Sequence, residues 1–216
     1  MAVSAFPLPR DRGSSSQAEH ASILSIMTRP PVIALMAGFF LMQVAHGPYN
    51  AFYSIHLVEA GYSKTAVGWL WALGVLAEIL LFLMLPRLMR AWDLNRILLF
   101  SFGCAFVRFL MIAWGVGSLP VMIAAQLLHA VTFGAFHAAG VAAMHRIFRG
   151  RNQARGQALY TSLGYGLGGT LGTLAAGYLW ESWGAQWTFT AAAVAAALAL
   201  LVVAAKRVSF EQTRVS

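Results

Sequence analysis

The sequence predicts an all-α membrane protein, a bundle of six transmembrane helices with both termini in the cytoplasm. Hydrophobic residues make up 59% of the 216 residues and charged residues only 10%, whereas soluble domains have about 45–50% and about 25%. No water-soluble packing of this length could bury so much apolar surface. The apolar residues are also gathered into runs of about 20 residues, long enough to cross the ~30 Å hydrocarbon core of a membrane as a helix.

Six such runs, joined by short connectors, account for nearly all of the chain after residue 31. Helices are required because lipid offers no hydrogen-bond partner to a free backbone amide. We number the predicted spans first to sixth, at residues 32–57, 67–85, 97–116, 119–144, 158–179 and 187–205. The predicted domains are a flexible cytoplasmic leader without a signal-peptide core, a six-helix transmembrane domain and a cytoplasmic tail, at residues 1–30, 31–205 and 206–216.

The basic residues predict the orientation of the spans. Of the 15 Lys and Arg residues, 13 lie before the first span, after the sixth, or in the connectors that follow the second and fourth spans. Lys64 is alone on the opposite side, and Arg108 lies within the third span. Because cytoplasmic loops carry the excess of Lys and Arg, both termini are placed in the cytoplasm, with the cell (inner) membrane as the expected location. Basic clusters between apolar runs argue against a nucleic-acid partner.

Apart from His56 at the outer edge of the first span, the ionisable side chains within the spans are the candidates for function. They lie about 10 to 22 Å from the cytoplasmic end of their helix, where a charge costs about 2.5 kcal/mol or more unless it faces protein or water. Helical periodicity gathers them with other polar groups into stripes, which predicts one cavity suited to an amphipathic or aromatic solute. The predicted residues of a substrate or proton pathway are Glu78, Arg108, His129, His46, His137, Gln126, Asn50 and Tyr53.

Each candidate also has a structural interpretation. Glu78 and Arg108 could form an ion pair that only makes two helices tolerable in lipid. The histidines could be hydrogen-bonded packing residues. For the aromatic side chains Tyr49, Tyr53 and Trp71, packing is the favoured interpretation.

Glycines at intervals of four residues mark the fifth span. Gly164, Gly168 and Gly172 form a smooth ridge that allows another helix to approach closely. Gly164, Gly166 and Gly169 also match the spacing of a dinucleotide-binding fingerprint, but no strand precedes them and they lie inside an apolar helix. The sequence therefore predicts helix packing for Gly164, Gly168 and Gly172.

Several stretches between residues 32 and 205 resemble a known family. The most specific are Leu-Trp-x-Leu-Gly-Val-x-Ala-Glu, which ends at Glu78, and Leu-His-x-x-Thr-Phe, which ends at Phe133. Gln-Val-Ala-His-Gly-Pro-Tyr at 43–49, Val-Arg at 107–108 and His137 add to them. Together they resemble the phenylpropionate permease branch of the major facilitator superfamily.

The resemblance implies a fold and a function. Members have twelve spans in two six-helix halves, and this chain resembles the carboxy-terminal half, so that residues 1–30 would belong to the central cytoplasmic loop. The implied function is secondary active transport, as a proton symporter, of a small organic solute such as an aromatic carboxylate. The expected partners are that solute, protons, the lipid bilayer, and either the missing amino-terminal half or a second copy; neither enzymatic activity nor a cofactor is expected.

The arrangement is also similar to the more distant lactose permease, in which Glu78, Arg108 and His129 have counterparts. That carrier has a proton-relay carboxylate where this sequence has Thr132, so its proton site cannot be carried over. Our hypothesis is that Arg108 neutralises Glu78 or a substrate carboxylate, and that protonation of Glu78 or His129 changes which partner Arg108 holds.

Other functions remain open at this point. The chain could be a membrane-integral partner that does not transport, or an inactive truncated fragment. A haem- or metal-binding protein built on His46, His129 and His137 is disfavoured because no HExxH motif occurs. In addition, two histidines eight residues apart on one α-helix point about 80° apart. We therefore predict no metal site.

Overall fold

The structure is a computed structural model that describes residues 23–207, and the rest of the predicted leader and tail lies outside the described residues. The described chain is helical apart from short connectors, with two π-helical segments and one 3-10 turn. The α-helices are α1 Ile23–Met27, α2 Pro30–Glu59, α3 Lys64–Ala91, α4 Leu94–Gly115, α5 Leu119–His129, α6 Phe136–Ile147, α7 Gln153–Tyr160 and α8 Gly169–Ala205. The π-helical segments are Ala130–Ala135 and Thr161–Gly168, and the 3-10 turn is Gly150–Asn152.

Local sequence signals position the ends of the helices. The Ser63 hydroxyl accepts a hydrogen bond from the Ala66 amide at 3.2 Å and caps the start of α3. A carboxylate oxygen of Asp93 accepts from the Arg96 amide at 3.0 Å and does the same for α4. Past the end of α2, Gly61 has a φ of 94°, which a glycine adopts without steric cost. The connectors at these ends are short, so the spans that they join are antiparallel.

Five helical stretches within residues 23–207 are long and apolar enough to cross a membrane. The last of them, Gly150–Ala205, has 56 residues and would extend about 84 Å as one straight helix, far beyond ~30 Å of hydrocarbon. It is broken at Gly184, whose φ of 81° and ψ of 177° are not helical. This break lies inside the connector that the sequence predicts between the fifth and sixth spans.

Contacts with α2 show that the chain reverses at Gly184. Before the break, residue numbers on the fifth span rise together with those of the α2 residues that they contact, so the two segments run parallel. After it, the numbers run in opposite directions. The contact pairs are Gly168–Phe40 and Gly177–Phe52 before the break, and Phe189–His56 and Ala199–Gly38 after it. The predicted all-α bundle with six spans is therefore confirmed.

The first span, formed by α2, lies at the centre of the bundle, and the second, formed by α3, lies at its side. In their most apolar 18-residue windows, 72% of α2 is buried inside the protein but only 17% of α3. α2 packs mainly against both parts of α8, whereas α3 packs mainly against α5 and the first π-helical segment. The first, second and fourth spans meet in one region, where His129 of the fourth span contacts Tyr49 of the first and Glu78 of the second.

The first and fifth spans meet along a line of glycines, which we call the glycine seam (Gly47, Gly164, Gly168 and Gly172). A Cβ atom added to Gly172 would overlap the backbone of Val44, and one added to Gly47 would overlap the backbone of Gly172. A Cβ atom at Gly168 would stand 2.7 Å from the Phe40 carbonyl oxygen. At Gly47, Gly168 and Gly172 the two backbones are therefore in direct contact, which only glycines allow, whereas a Cβ atom at Gly164 would stand 3.6 Å from the Gln43 side chain.

Candidate functional site

Arg108 is the largest of the fully buried side chains within residues 23–207, with no exposed surface. Its Nε donates a hydrogen bond to the Ala125 carbonyl at 2.9 Å, and its Nη1 donates to the Thr132 hydroxyl at 3.4 Å. Its Nη2 has no hydrogen-bond partner. One edge of the guanidinium is therefore fixed by the fourth span, while the Nη2 edge is not engaged. Because an arginine side chain stays charged in proteins, the site has a buried cation.

A tyrosine covers this cation. The Cζ of Arg108 lies 4.1 Å from the ring centroid of Tyr49, within the range of a cation–π interaction. The Tyr49 hydroxyl donates to Oε1 of Gln126 at 3.0 Å. The Tyr49 ring also packs against Trp71 and His129, with centroids 4.8 and 5.4 Å away. We call these five residues, Tyr49, Trp71, Arg108, Gln126 and His129, the Tyr49 cluster.

Glu78 pairs with a histidine and not with Arg108. Its Oε2 lies 3.9 Å from Nε2 of His129, an ion pair only when the imidazole is protonated. Within residues 23–207 no carboxylate is within ion-pair distance of Arg108; besides Glu78–His129, the ion pair in this range joins Arg96 to Asp93. The structural interpretation of Glu78 and Arg108 as partners is therefore wrong in this conformation.

His46 is buried beside the cluster on the first span. Its Nδ1 donates to the Met42 carbonyl at 2.8 Å, while its Nε2 has no hydrogen-bond partner. Its ring packs edge-on against Phe109 at 5.3 Å. The backbone bond fixes the ring orientation, as in a packing histidine, but leaves the second nitrogen unengaged.

His137 lies in a separate group with two tyrosines of the fifth span. Its Nδ1 is 2.8 Å from the Tyr165 hydroxyl and 3.2 Å from the Tyr160 hydroxyl. The group connects to the Tyr49 cluster through Phe133, whose ring stacks on both His129 and His137, at 5.3 and 6.5 Å. These stacked rings form a continuous row along the fourth span.

Of the other predicted site residues, two lie in the buried region around Arg108 and one lies on the surface. Tyr53 is fully buried and packs against Tyr49 at 4.9 Å, and its hydroxyl has no hydrogen-bond partner. Gln126 is fully buried, and its Nε2 has no partner although its Oε1 has one. Asn50 is exposed on the surface of the chain. The structure thus brings Glu78, Arg108, His129, Gln126 and Tyr53 together and leaves Asn50 apart.

Buried polar atoms without a hydrogen-bond partner are concentrated around this site. Such atoms are rare in folded proteins, because each costs about 1–3 kcal/mol, and they call for an explanation. On the first, third and fourth spans they are Gln43 Nε2, His46 Nε2, Tyr53 Oη, Ser101 Oγ, Arg108 Nη2, Gln126 Nε2 and His129 Nδ1. A region so rich in unsatisfied polar groups is suited to receive a polar solute or water.

Some residues of the site are missed by sequence reasoning. Tyr49 is assigned to packing together with the other aromatic residues of the predicted faces, although it lies three residues after His46 and four before Tyr53. Thr132, noted as a departure from the lactose carrier, contacts Arg108. The π-helical segment Ala130–Ala135 follows His129 directly, and such segments are frequent at functional sites.

Two glycines make room for the polar side chains. A Cβ atom at Gly74 would stand 2.9 Å from Oε1 of Gln126. One at Gly134 would stand 3.1 Å from Cγ of Glu78. Within residues 23–207 no group of three or more His, Cys, Asp or Glu side chains is placed to hold a metal ion.

Comparison with known proteins identifies the family. The family model described as "MFS_1 like family" matches residues 3–191. The chain is 37% identical over 147 residues to a protein of Escherichia coli (strain K12) named "Probable 3-phenylpropionic acid transporter", which covers 65% of this chain and 37% of that protein. It is 26% identical over 132 residues to "Uncharacterized transporter YwbF" of Bacillus subtilis (strain 168), covering 61% of this chain and 33% of that protein. No solved structure matches at a comparable level.

The alignments therefore span about a third of the length of these relatives. The family match covers most of the chain, and both relatives are named as transporters, not as enzymes. The resemblance in the sequence motifs is thereby confirmed: the chain is a multi-pass membrane protein that belongs to the MFS_1 like family, in the phenylpropionate permease-like branch of the major facilitator superfamily.

Proposed function

We propose that the chain is the carboxy-terminal six-helix half of a proton-coupled secondary transporter in the cell (inner) membrane, and that it binds a small organic anion such as an aromatic carboxylate. The observation that carries this proposal is Arg108, a buried cation with an unengaged Nη2 and no carboxylate partner within residues 23–207.

Arg108 is suited to bind a carboxylate reversibly. A buried charge is costly unless it is paired, and here an aromatic ring and two neutral oxygen atoms provide only partial compensation. A substrate carboxylate would supply the missing countercharge and accept hydrogen bonds from the free Nη2. Arginine is well adapted to this role because its planar donors match both oxygens of a carboxylate.

The rings around Arg108 suit the other end of such a solute. Trp71 and Tyr49 pack at 4.8 Å, and Phe133 stacks on His129 at 5.3 Å. Aromatic faces next to a cation provide an apolar surface for a substrate ring and a polar end for its carboxylate. This supports an aromatic carboxylate, the class to which the compound in the name of the E. coli relative belongs.

Glu78 and His129 are the proposed proton-handling pair. Their side chains face each other at 3.9 Å on the second and fourth spans, next to Tyr49 and the cation. A proton bound by this pair changes its net charge by one unit close to the anion site, so proton and anion binding are linked electrostatically. Because Glu78 is free of Arg108, proton uptake and anion binding use different groups.

Transport by this site needs surface that the chain does not supply. Carriers of this kind bind their solute near the midplane, between two repeats that rock against each other. The alignment with only about a third of each relative supports a second half, either the missing amino-terminal part or a second copy. The same alignment favours one alternative, a chain that does not transport by itself.

Uptake by proteoliposomes tests this proposal. One set of vesicles contains the chain together with the amino-terminal part of the E. coli relative, the part that precedes the aligned region. With an imposed inward proton gradient, these vesicles should accumulate radiolabelled 3-phenylpropionate. Vesicles that contain only that part should not. Uptake by the chain alone would support a second copy as the partner.

A substitution separates coupling from binding in the same assay. Glu78→Gln should abolish uphill accumulation but retain exchange of labelled for unlabelled solute, because the neutral side chain cannot release a proton. Undiminished accumulation would remove Glu78 from coupling. The remaining outcome is a folded chain that shows no uptake, either alone or together with the amino-terminal part. That result would identify it as the alternative, a chain that does not transport.

A further inference from the structure

We propose that Tyr49 is a gate that controls access of anions to Arg108, and that its bond to Gln126 holds the gate closed. This goes beyond the proposed function, since it concerns when the cation can be reached; it rests on that function only for the identity of the anion. The structure shows the closed state, in which Arg108 and Tyr49 are both buried, with 0% and 1% of their surface exposed.

The guanidinium is held from one side and covered from the other. Ala125 and Thr132 accept hydrogen bonds from Nε and Nη1, which fixes the group against the fourth span. The Tyr49 ring lies over the guanidinium at 4.1 Å. An anion therefore cannot approach that face of Arg108 unless the Tyr49 side chain moves.

The hydroxyl of Tyr49 fixes the ring in this covering position. It donates to Oε1 of Gln126 on the fourth span, one residue after the carbonyl of Ala125 that holds Arg108. The same bond leaves Nε2 of Gln126 without a partner. Arg108 Nη2 and Gln126 Nε2 already lack partners in the closed state, so movement of the Tyr49 ring is the change that would expose these donors to a carboxylate.

The surroundings of the ring favour a side chain that can move and return. Trp71, Tyr53 and His129 pack against it at 4.8, 4.9 and 5.4 Å, at tilted angles and without a direct hydrogen bond to its hydroxyl. A substrate phenyl ring has the size and the apolar faces of the Tyr49 ring, without its hydroxyl, and can take its place among these aromatic groups. The free energy gained when an aromatic carboxylate binds would then offset the cost of opening the gate.

Chemical modification of Arg108 tests the gate directly. The probe is phenylglyoxal, a dicarbonyl compound that reacts with accessible guanidinium groups, applied to the 216-residue chain in lipid nanodiscs and read by peptide mass spectrometry. Arg96, whose side chain is 72% exposed, serves as an internal reference in every sample. In the wild-type chain Arg96 should react and Arg108 should not.

Two substitutions separate the ring from its hydroxyl. Tyr49→Leu removes the cover, and the rate of Arg108 modification should rise about tenfold, the equivalent of a lost cation–π interaction. Tyr49→Phe keeps the ring but removes the bond to Gln126, and the rate should rise about fivefold, the equivalent of one neutral hydrogen bond. Tyr62→Phe is the matched control, because its hydroxyl also donates a hydrogen bond, to the Val116 carbonyl at 2.8 Å, but at the outer end of the bundle. It should leave the rate unchanged.

The outcomes distinguish the gate from the anion site. The gate is refuted if wild-type Arg108 reacts as fast as Arg96, or if Tyr49→Phe, whose packing is preserved, gives the wild-type rate. An increase in Tyr62→Phe equal to that in Tyr49→Phe would also refute it, because loosening of the whole bundle would then explain the effect. Added 3-phenylpropionate should protect Arg108 in Tyr49→Phe; if the rate rises without protection, the gate stands and the proposed anion role of Arg108 fails.

Discussion

The glycine seam and the Tyr49 cluster are both built on the first span, yet they use opposite chemistry. The seam joins the first and fifth spans by backbone contact between Gly47, Gly168, Gly172 and their neighbours. The cluster joins the first, second, third and fourth spans through large side chains, and it leaves Arg108 Nη2 and other buried polar atoms without partners. The seam glycines contribute no polar side chain of their own, and the polar side chain packed against them is Gln43.

The difference teaches where this bundle is structural and where it is functional. In lipid, helices associate through close van der Waals packing, and the seam provides that with almost no side chains. Polar groups at membrane depth are costly and persist where a function requires them. Substitutions in the seam should therefore affect folding, while substitutions in the cluster should affect binding more than folding.

The largest effect on stability is expected for Gly172→Val. The new side chain would overlap the Val44 backbone, which cannot move aside as a flexible side chain can. The free energy of unfolding should fall by about 3 kcal/mol, the upper part of the range for overpacking, as measured by denaturation with sodium dodecyl sulfate. Gly169→Ala, where an added Cβ meets nothing within 4 Å, should change it little. Equal stability of Gly172→Val and wild type would contradict the seam.

A smaller effect is expected for Gly74→Ala in the Tyr49 cluster. The new Cβ would stand 2.9 Å from Oε1 of Gln126, a side-chain atom that can shift, but the shift should break its bond to Tyr49. The loss should be about 1 kcal/mol, the value of one hydrogen bond, in the same denaturation experiment. Gly68→Ala on the same helix, with open space at its Cβ, is the matched control. A loss as large as that of Gly172→Val would abolish the distinction between the two regions.

The smallest effect on stability is expected for Arg108→Met. This change removes a buried cation that has no carboxylate partner within residues 23–207, while it keeps a long side chain. Replacement of buried charges by apolar side chains of similar volume is often neutral or stabilising, so the free energy of unfolding should change by less than about 1 kcal/mol. Unfolding of the variant at much lower denaturant would show that Arg108 is a structural residue.

The sequence predicts which residues belong to the glycine seam and to the Tyr49 cluster better than it predicts which of the cluster residues contact each other. Glycines four residues apart place Gly164, Gly168 and Gly172 on one helix face, and depth along each span puts Arg108 and His129 at one level. Both inferences need only the geometry of a single helix. The partner helix that each face meets depends on the packing of the whole bundle.

Three features of the site show what single-helix geometry misses. Asn50 shares a predicted face with His46 but is exposed, because the buried face of α2 is centred on Tyr49, one residue away. Glu78 faces His129 because the second span packs against the fourth. The π-helical segment after His129 changes the register of the residues that follow, which α-helical periodicity does not anticipate.

Equilibrium binding of radiolabelled 3-phenylpropionate to the chain in nanodiscs tests most directly the claim that Arg108 is an anion site. Arg108→Lys keeps the charge but loses the planar donors, and its affinity should fall about tenfold or more, the value of one hydrogen bond to a charged group. Arg96→Lys, an exposed position paired with Asp93, should bind like the wild-type chain. Equal affinity of Arg108→Lys and wild type would contradict the account, because the carboxylate would then be bound elsewhere.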